Sequence, residues 1–171
     1  MRRSRRAKIP LALLGLTLAG CVVEPPAGSA ARPTAGVIAA DARALRYGAS
    51  AAEVFNHPLV RDKVLAMFGP DWNPGGRVPL GAASYFPPPS PLRSLRIGDQ
   101  DYIAITGCVS TACASHRGLV LIRQDAQHLM ARIDEGGFSH YYDFAPGASA
   151  SLVPRSAIDS AWVALQAMER T

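Results

Sequence analysis

Leu95-Arg-Ile97, then Gly98-Asp99, then Tyr102-Ile-Ala-Ile-Thr106: two apolar, partly β-branched runs on either side of a glycine turn read as a β-hairpin. The chain repeats this pattern downstream. Leu119-Val-Leu-Ile122 is turned by Gln124-Asp125-Ala126 into Leu129-Met-Ala-Arg-Ile133, and Glu135-Gly136-Gly137 leads into Phe138-Ser-His-Tyr-Tyr-Asp-Phe144. The connections are too short for a crossover, so successive strands must pair antiparallel.

Outward from this block the periodicity becomes helical. Ile158, Ala161, Trp162, Leu165 and Met168 line one stripe of a helix expected over residues 154–170. On the other side, Val60, Val64 and Phe68 recur at i, i+4, i+8 after Asn56-His57-Pro58, where His57 helps begin the helix, and Gly69-Pro70 stops it. Residues 41–56 are Ala-rich and predict a further helix with Leu45 and Ala49 on one face, against the propensity of Gly48. Residues 69–91, rich in Pro and Gly, predict an irregular cover anchored by Trp72, Tyr85 and Phe86. The fold class is therefore α+β, an antiparallel β-sheet flanked by helices, as one domain over residues 41–171. No internal repeat is visible.

The 171 residues carry 18 Lys+Arg against 13 Asp+Glu, a net charge of +5. Five of those cations, Arg2, Arg3, Arg5, Arg6 and Lys8, fall in the first eight residues, so residues 21–171 are neutral at 13 against 13. A neutral body offers no basic face to nucleic acid. With 49% apolar and 18% charged residues, the chain is also not a disordered polyelectrolyte.

Catalytic patterns are absent. No Gly-x-Ser-x-Gly elbow surrounds a serine. Asp134-Glu135 read as solvated turn residues. His128 and His140, on adjacent expected strands, could face each other as surface or half-buried residues, but two histidines complete no metal site. Tyr141-Tyr142 should put one ring on each sheet face. Gly75-Gly76 lacks the lysine and helix of a P-loop. No enzyme activity, cofactor or metal is expected.

The N-terminus reads as an address. Its positive segment precedes the apolar run Ile9-Pro-Leu-Ala-Leu-Leu-Gly-Leu-Thr-Leu18, about ten residues, well short of the roughly 20 that span a bilayer. The run ends in Leu18-Ala-Gly-Cys21, which resembles the lipobox of bacterial lipoproteins. That resemblance implies cleavage before Cys21, acylation of its sulfur and amine, and attachment to the periplasmic face of the outer membrane, since Val22-Val23 lack the aspartate of an inner-membrane retention signal. Residues 1–20 would be the signal peptide and residues 21–40, poor in large apolar groups, a flexible tether. With Cys21 lipidated, Cys108 and Cys113 remain as one pair for a disulfide in an oxidising compartment. Four residues separate them, too many for a redox CxxC motif.

Gly107-Cys-Val-Ser-Thr-Ala-Cys-Ala-Ser-His-Arg-Gly-Leu-Val-Leu121 resembles the Ivy family, periplasmic inhibitors of vertebrate lysozyme. Cys108 and Cys113 match that family's Cys-x₄-Cys loop. Ala114-Ser-His-Arg117 match its small-Ser-x-Arg run, and residues 119–122 its following strand. The family loop reads Cys-Lys-Pro-His-Asp-Cys, and its histidine enters the lysozyme cleft between the catalytic carboxylates. Here Val109, Ser110, Thr111 and Ala112 fill those places, and Thr111 stands where the histidine would. Threonine donates a hydrogen bond but carries no charge. A lost charge-assisted bond costs roughly 1.5–3 kcal/mol.

The resemblance implies a lipid-anchored protein whose protruding loop (Val109, Ser110, Thr111, Ala112, with His116 beside it) enters the cleft of a lysozyme or lytic transglycosylase. Homodimer formation is left open. The alternative is a structural or assembly lipoprotein whose loop merely caps a sheet edge.

Overall fold

The computed structural model describes residues 35–38, 42–146 and 155–168. The expected hairpins form one six-stranded antiparallel sheet in chain order: β1 (Ala35–Ile38), β2 (Leu92–Ile97), β3 (Gln100–Cys108), β4 (His116–Arg123), β5 (Leu129–Glu135) and β6 (Phe138–Phe144). The register sets Leu95 opposite Tyr102, Ile103 opposite Ile122, and Gly118 opposite Ile133.

Alternation along each strand then makes two cores. Ile103, Ile105, Val120, Ile122, Ala131, Ile133 and Tyr142 face one side, against α1 (Ala51–Asn56), α2 (Arg61–Phe68) and the segment following α2. Tyr102, Ala104, Leu119, Leu121 and Met130 face the other, against α3 (Arg155–Met168). β3 and β4 are covered on both faces, and this is why they read as continuous apolar runs instead of alternating ones. Each fully buried Ile or Leu there contributes roughly 1.5–3 kcal/mol. Tyr141 and Tyr142 do fall on opposite faces.

In the helices, Val60, Val64 and Phe68 are buried as their spacing predicts, as are Ile158, Ala161, Trp162 and Leu165. The side chain of Met168 is outside the described residues. α2 starts at Arg61, later than Asn56-His57-Pro58. The carbonyl of His57 accepts from the amides of Val60 and Arg61, so His57 does open the turn that leads into it. The helix expected over residues 41–56 shrinks to α1. Gly48 sits at φ +149°, where an added Cβ would clash with the Cβ of Glu53, and residues 42–47 are turns. Ala44 and Tyr47 are buried there, whereas Leu45 and Ala49 are exposed. Ser50 and Glu53 close the start of α1 reciprocally: Ser50 Oγ accepts from the Glu53 amide, and Glu53 Oε2 from the Ala49 amide.

β1 also departs from the expected tether. Its residues pair with β2, Val37 opposite Leu95, so the end of that segment belongs to the sheet.

The Pro/Gly segment contains two short 3-10 turns, Gly69–Trp72 and Ala82–Tyr85. Tyr85 and Phe86 are buried, and Trp72 packs edge-on against Phe55. Asp71 is buried beneath this cover. The Arg77 guanidinium lies 2.7 Å away and the Tyr142 hydroxyl donates at 2.9 Å. Burial opposes the Asp71 charge, but the Arg77 amide, its guanidinium and Tyr142 outweigh it and hold the carboxyl below its ordinary pKa. No helix among the described residues is long and apolar enough to cross a membrane.

Candidate functional site: the disulfide-closed hairpin tip

Cys108 ends β3 opposite Arg117 of β4, and the ladder runs one bond further, from the Val109 amide to the His116 carbonyl at 3.1 Å. Beyond it the chain turns on itself. The Ala112 amide donates to the Val109 carbonyl at 2.8 Å, and the Ala112 carbonyl accepts from Ser115 and His116. A disulfide joins Cys108 to Cys113. The Arg117 Nε donates to the Cys113 carbonyl at 2.7 Å, and the Gly136 amide in the β5–β6 turn donates to the Ser115 carbonyl at 3.1 Å. The tip is therefore braced covalently, by its own turns, by β4 and by the neighbouring turn. A loop held in this way loses little conformational freedom on binding.

The expected contact residues divide in two. Ser110 and Thr111 are exposed at the tip. Val109 turns down onto the core, and Ala112 is half-buried. His116 is half-buried on the α1–α2 face, its Nδ1 2.9 Å from Ser115 Oγ and its ring 6.2 Å from that of Tyr85. Cys21 and the rest of residues 1–34 lie outside the described residues.

Two features beneath the loop escaped the sequence reading. Gly107 and Gly118 pair across β3 and β4, and their missing side chains form a notch filled by Tyr85 and Phe86. A Cβ on Gly107 would meet the Tyr85 carbonyl, and one on Gly118 would lie 2.7 Å from the Phe86 ring. The Tyr85 hydroxyl is fully buried without a hydrogen-bond partner among the described residues. Burial, with some help from the Glu135 charge, pushes its pKa up to about 12.

No acid–base constellation gathers here. Asp134 and Glu135 end β5 instead of lying free in a turn, and Asp134 accepts from Arg132 and Ser139 at 2.7 Å each. Arg132 also reaches Asp159 at 2.8 Å and stacks 4.9 Å from the Trp162 ring, tying α3 to the sheet. His128 and His140 do not face each other. His128 is buried on the α3 face, its Nε2 2.8 Å from Asp143 and its Nδ1 3.5 Å from the Tyr102 hydroxyl. His140 lies on the other face, its Nε2 3.7 Å from Glu135. Among the described residues, no group of three or more His, Cys, Asp or Glu could hold a metal ion.

The hairpin tip flanks a cleft of about 490 Å³ that includes residues 87–91, Ser110 and Arg117. No family model, no curated protein and no solved structure matches this chain.

Proposed function

We propose that the protein is a lipid-anchored periplasmic binder of a lysozyme-like muramidase, plugging the sugar-binding cleft with its Cys108–Cys113 loop. The observation that carries this reading is the braced tip, with the Ser110 and Thr111 hydroxyls exposed at its end. Those hydroxyls would donate to the carboxylates of the cleft in place of the charged histidine of the Ivy family. The sequence motif of residues 107–121 and the lipobox-like Leu18-Ala-Gly-Cys21 support the same reading. The test is purified residues 22–171 mixed with a panel of lysozymes and lytic transglycosylases, read by gel-filtration co-elution and by the rate of peptidoglycan lysis. Slowed lysis by at least one enzyme is expected; no co-elution and no slowing across the panel overturns the reading.

A second reading has its own observation. The Gly136–Ser115 bond and the inward Val109 make the loop a brace between neighbouring hairpins. A structural lipoprotein would need no more from it. That reading leads if the panel fails while Ser110→Ala/Thr111→Ala leaves stability unchanged and reduction of the disulfide loosens the β5–β6 turn.

A further inference from the structure

Two half-buried arginines of the sheet, Arg93 and Arg117, face no aspartate or glutamate among the described residues, whereas Arg123, Arg132 and, in the turn before α1, Arg43 each face an aspartate: Asp125, both Asp134 and Asp159, and Asp101. Of the two, Arg117 lines a cleft. Arg117 is on β4 and has no carboxylate partner among the described residues. Its one side-chain hydrogen bond among the described residues runs from Nε to the Cys113 carbonyl, which leaves both terminal nitrogens of the guanidinium open to a ligand. A half-buried charge with no counter-charge is costly unless something supplies one.

The surroundings leave room for one. Arg117 lines the 490 Å³ cleft between the hairpin tip and residues 87–91, with Gly107 and Cys108 along β3 and Ser110 on the loop. Arg117 is the cleft's one charged lining residue. The prolines offer a flat apolar wall without amide donors, and the polar side chains lining the cleft are Arg117, Ser110, Thr106 and Ser90, the last already donating to the Pro87 carbonyl. The end-on guanidinium presents two parallel N–H groups, the geometry that suits a carboxylate. The Cys113 carbonyl holds Nε, so the guanidinium is fixed beside the cleft before any ligand arrives.

We propose that Arg117 and the cleft beside the disulfide form a carboxylate-binding site, whose occupant is an aspartate or glutamate side chain of the protein that the loop engages. This rests on the proposed function for the identity of the occupant. It gives the loop region a positive charge that Thr111 does not.

The site is tested apart from the partner. N-acetyl-L-glutamate is titrated into the mature, detergent-solubilised chain while the Arg117 Nε–H and the Gly107 and Cys113 amide resonances are followed by NMR. N-acetyl-L-glutamine serves as a probe with one carboxylate fewer, and its diamide as the neutral one. Saturable shifts that follow the number of carboxylates are expected. Arg117→Gln should weaken binding by tenfold or more, the worth of a charge-assisted bond. Arg117→Lys, which keeps the charge but loses the fork, should fall between. Unshifted Leu119–Ile122 amides show that both variants keep the sheet. No saturable shift, equal shifts with the neutral diamide, or undiminished binding by Arg117→Gln overturns the site. If a muramidase from the panel binds, Arg117→Gln should weaken that complex tenfold or more and reduce its salt dependence; an unchanged complex overturns the assignment of the occupant. If no muramidase binds, the proposed function fails and the small-molecule titration still decides whether the site exists.

Discussion

Replacing Tyr85 with phenylalanine should stabilise the protein, and replacing Tyr142 in the same way should destabilise it. Both rings are buried on the same face of the sheet, and both substitutions delete one hydroxyl. Their difference lies in what the hydroxyl touches. That of Tyr85 has no hydrogen-bond partner among the described residues, so folding strips it of water with nothing from them in exchange. Such a group costs about 1–3 kcal/mol, which Tyr85→Phe recovers while the ring keeps its place over Gly118 and near His116. Tyr142 donates to the charged Asp71 at 2.9 Å, and Tyr142→Phe forfeits a bond worth roughly 1.5–3 kcal/mol. With a urea m-value of about 1–3 kcal/mol/M, each midpoint should move by roughly half a molar or more, upward for Tyr85→Phe and downward for Tyr142→Phe. Alkali supplies a second readout. The Tyr85 pKa is about 12 in the folded chain against about 10 in the unfolded one. The unfolded chain therefore gives up this proton first, and stability falls as pH rises from about 10 to about 12, by up to roughly 2–3 kcal/mol for this group. Tyr85→Phe should flatten that limb. A Tyr85→Phe midpoint below that of the parent chain would refute the reasoning, by showing that the hydroxyl contributes a bond.

Four further outcomes follow from named contacts. Gly118→Ala should destabilise by about 1–3 kcal/mol in urea unfolding, because its Cβ would press on the Phe86 ring and the Tyr85 Cβ between strands that cannot part. Asp71, whose carboxyl is held below its ordinary pKa, contributes stability that is whole above about pH 4 and lost as pH falls through its folded pKa; Asp71→Asn should shrink the acid limb of a pH–stability profile. Cys21→Ser should give soluble or unprocessed protein without acyl mass, and membrane-bound acylated Cys21→Ser protein would sink the lipoprotein proposal. If the loop enters a lysozyme cleft, Thr111→His with Ala112→Asp should tighten inhibition of an animal-type lysozyme about tenfold to a hundredfold, the worth of one charge-assisted bond; an unmoved inhibition constant in a folded variant excludes the loop as the inhibitory element.

What the sequence made legible follows from the range over which each cause acts. β3 and β4 are covered on both faces, so their apolar runs are unbroken and readable one residue at a time. α2 and α3 carry their stripes at helical spacing. β1 could not be read in this way, because Ala35-Gly-Val-Ile38 is too short and too small in side chains to announce a strand without its pairing to β2. α1 was overextended because alanine propensity is additive along a segment, whereas Gly48 acts at one backbone position.

The candidate site divides along the same line. Cys108 and Cys113 are close in sequence, and their spacing was enough to locate the loop that the disulfide closes. The contact of His128 with Asp143 was within reach of register arithmetic: a turn at Gly136-Gly137 sets Leu129 opposite Phe144, which brings residues 128 and 143 to the same face. His128 does not meet His140, which a single step of alternation puts on the opposite face. The position of Arg117 was beyond any such arithmetic. Whether a guanidinium is neutralised depends on carboxylates delivered by other elements, and the aspartates nearest in sequence are committed elsewhere: Asp125 to Arg123, Asp101 to Arg43 and Arg96, and Asp134 to Arg132. The proposed binding charge is one of two half-buried arginines of the sheet, with Arg93, that face no carboxylate among the described residues. At the tip, this charge and the disulfide act together, since the Cys113 carbonyl that orients Arg117 is itself held by the bond to Cys108. Reducing the disulfide should therefore loosen the loop and the aim of the guanidinium at once, so that loop contacts and carboxylate binding weaken together and not independently.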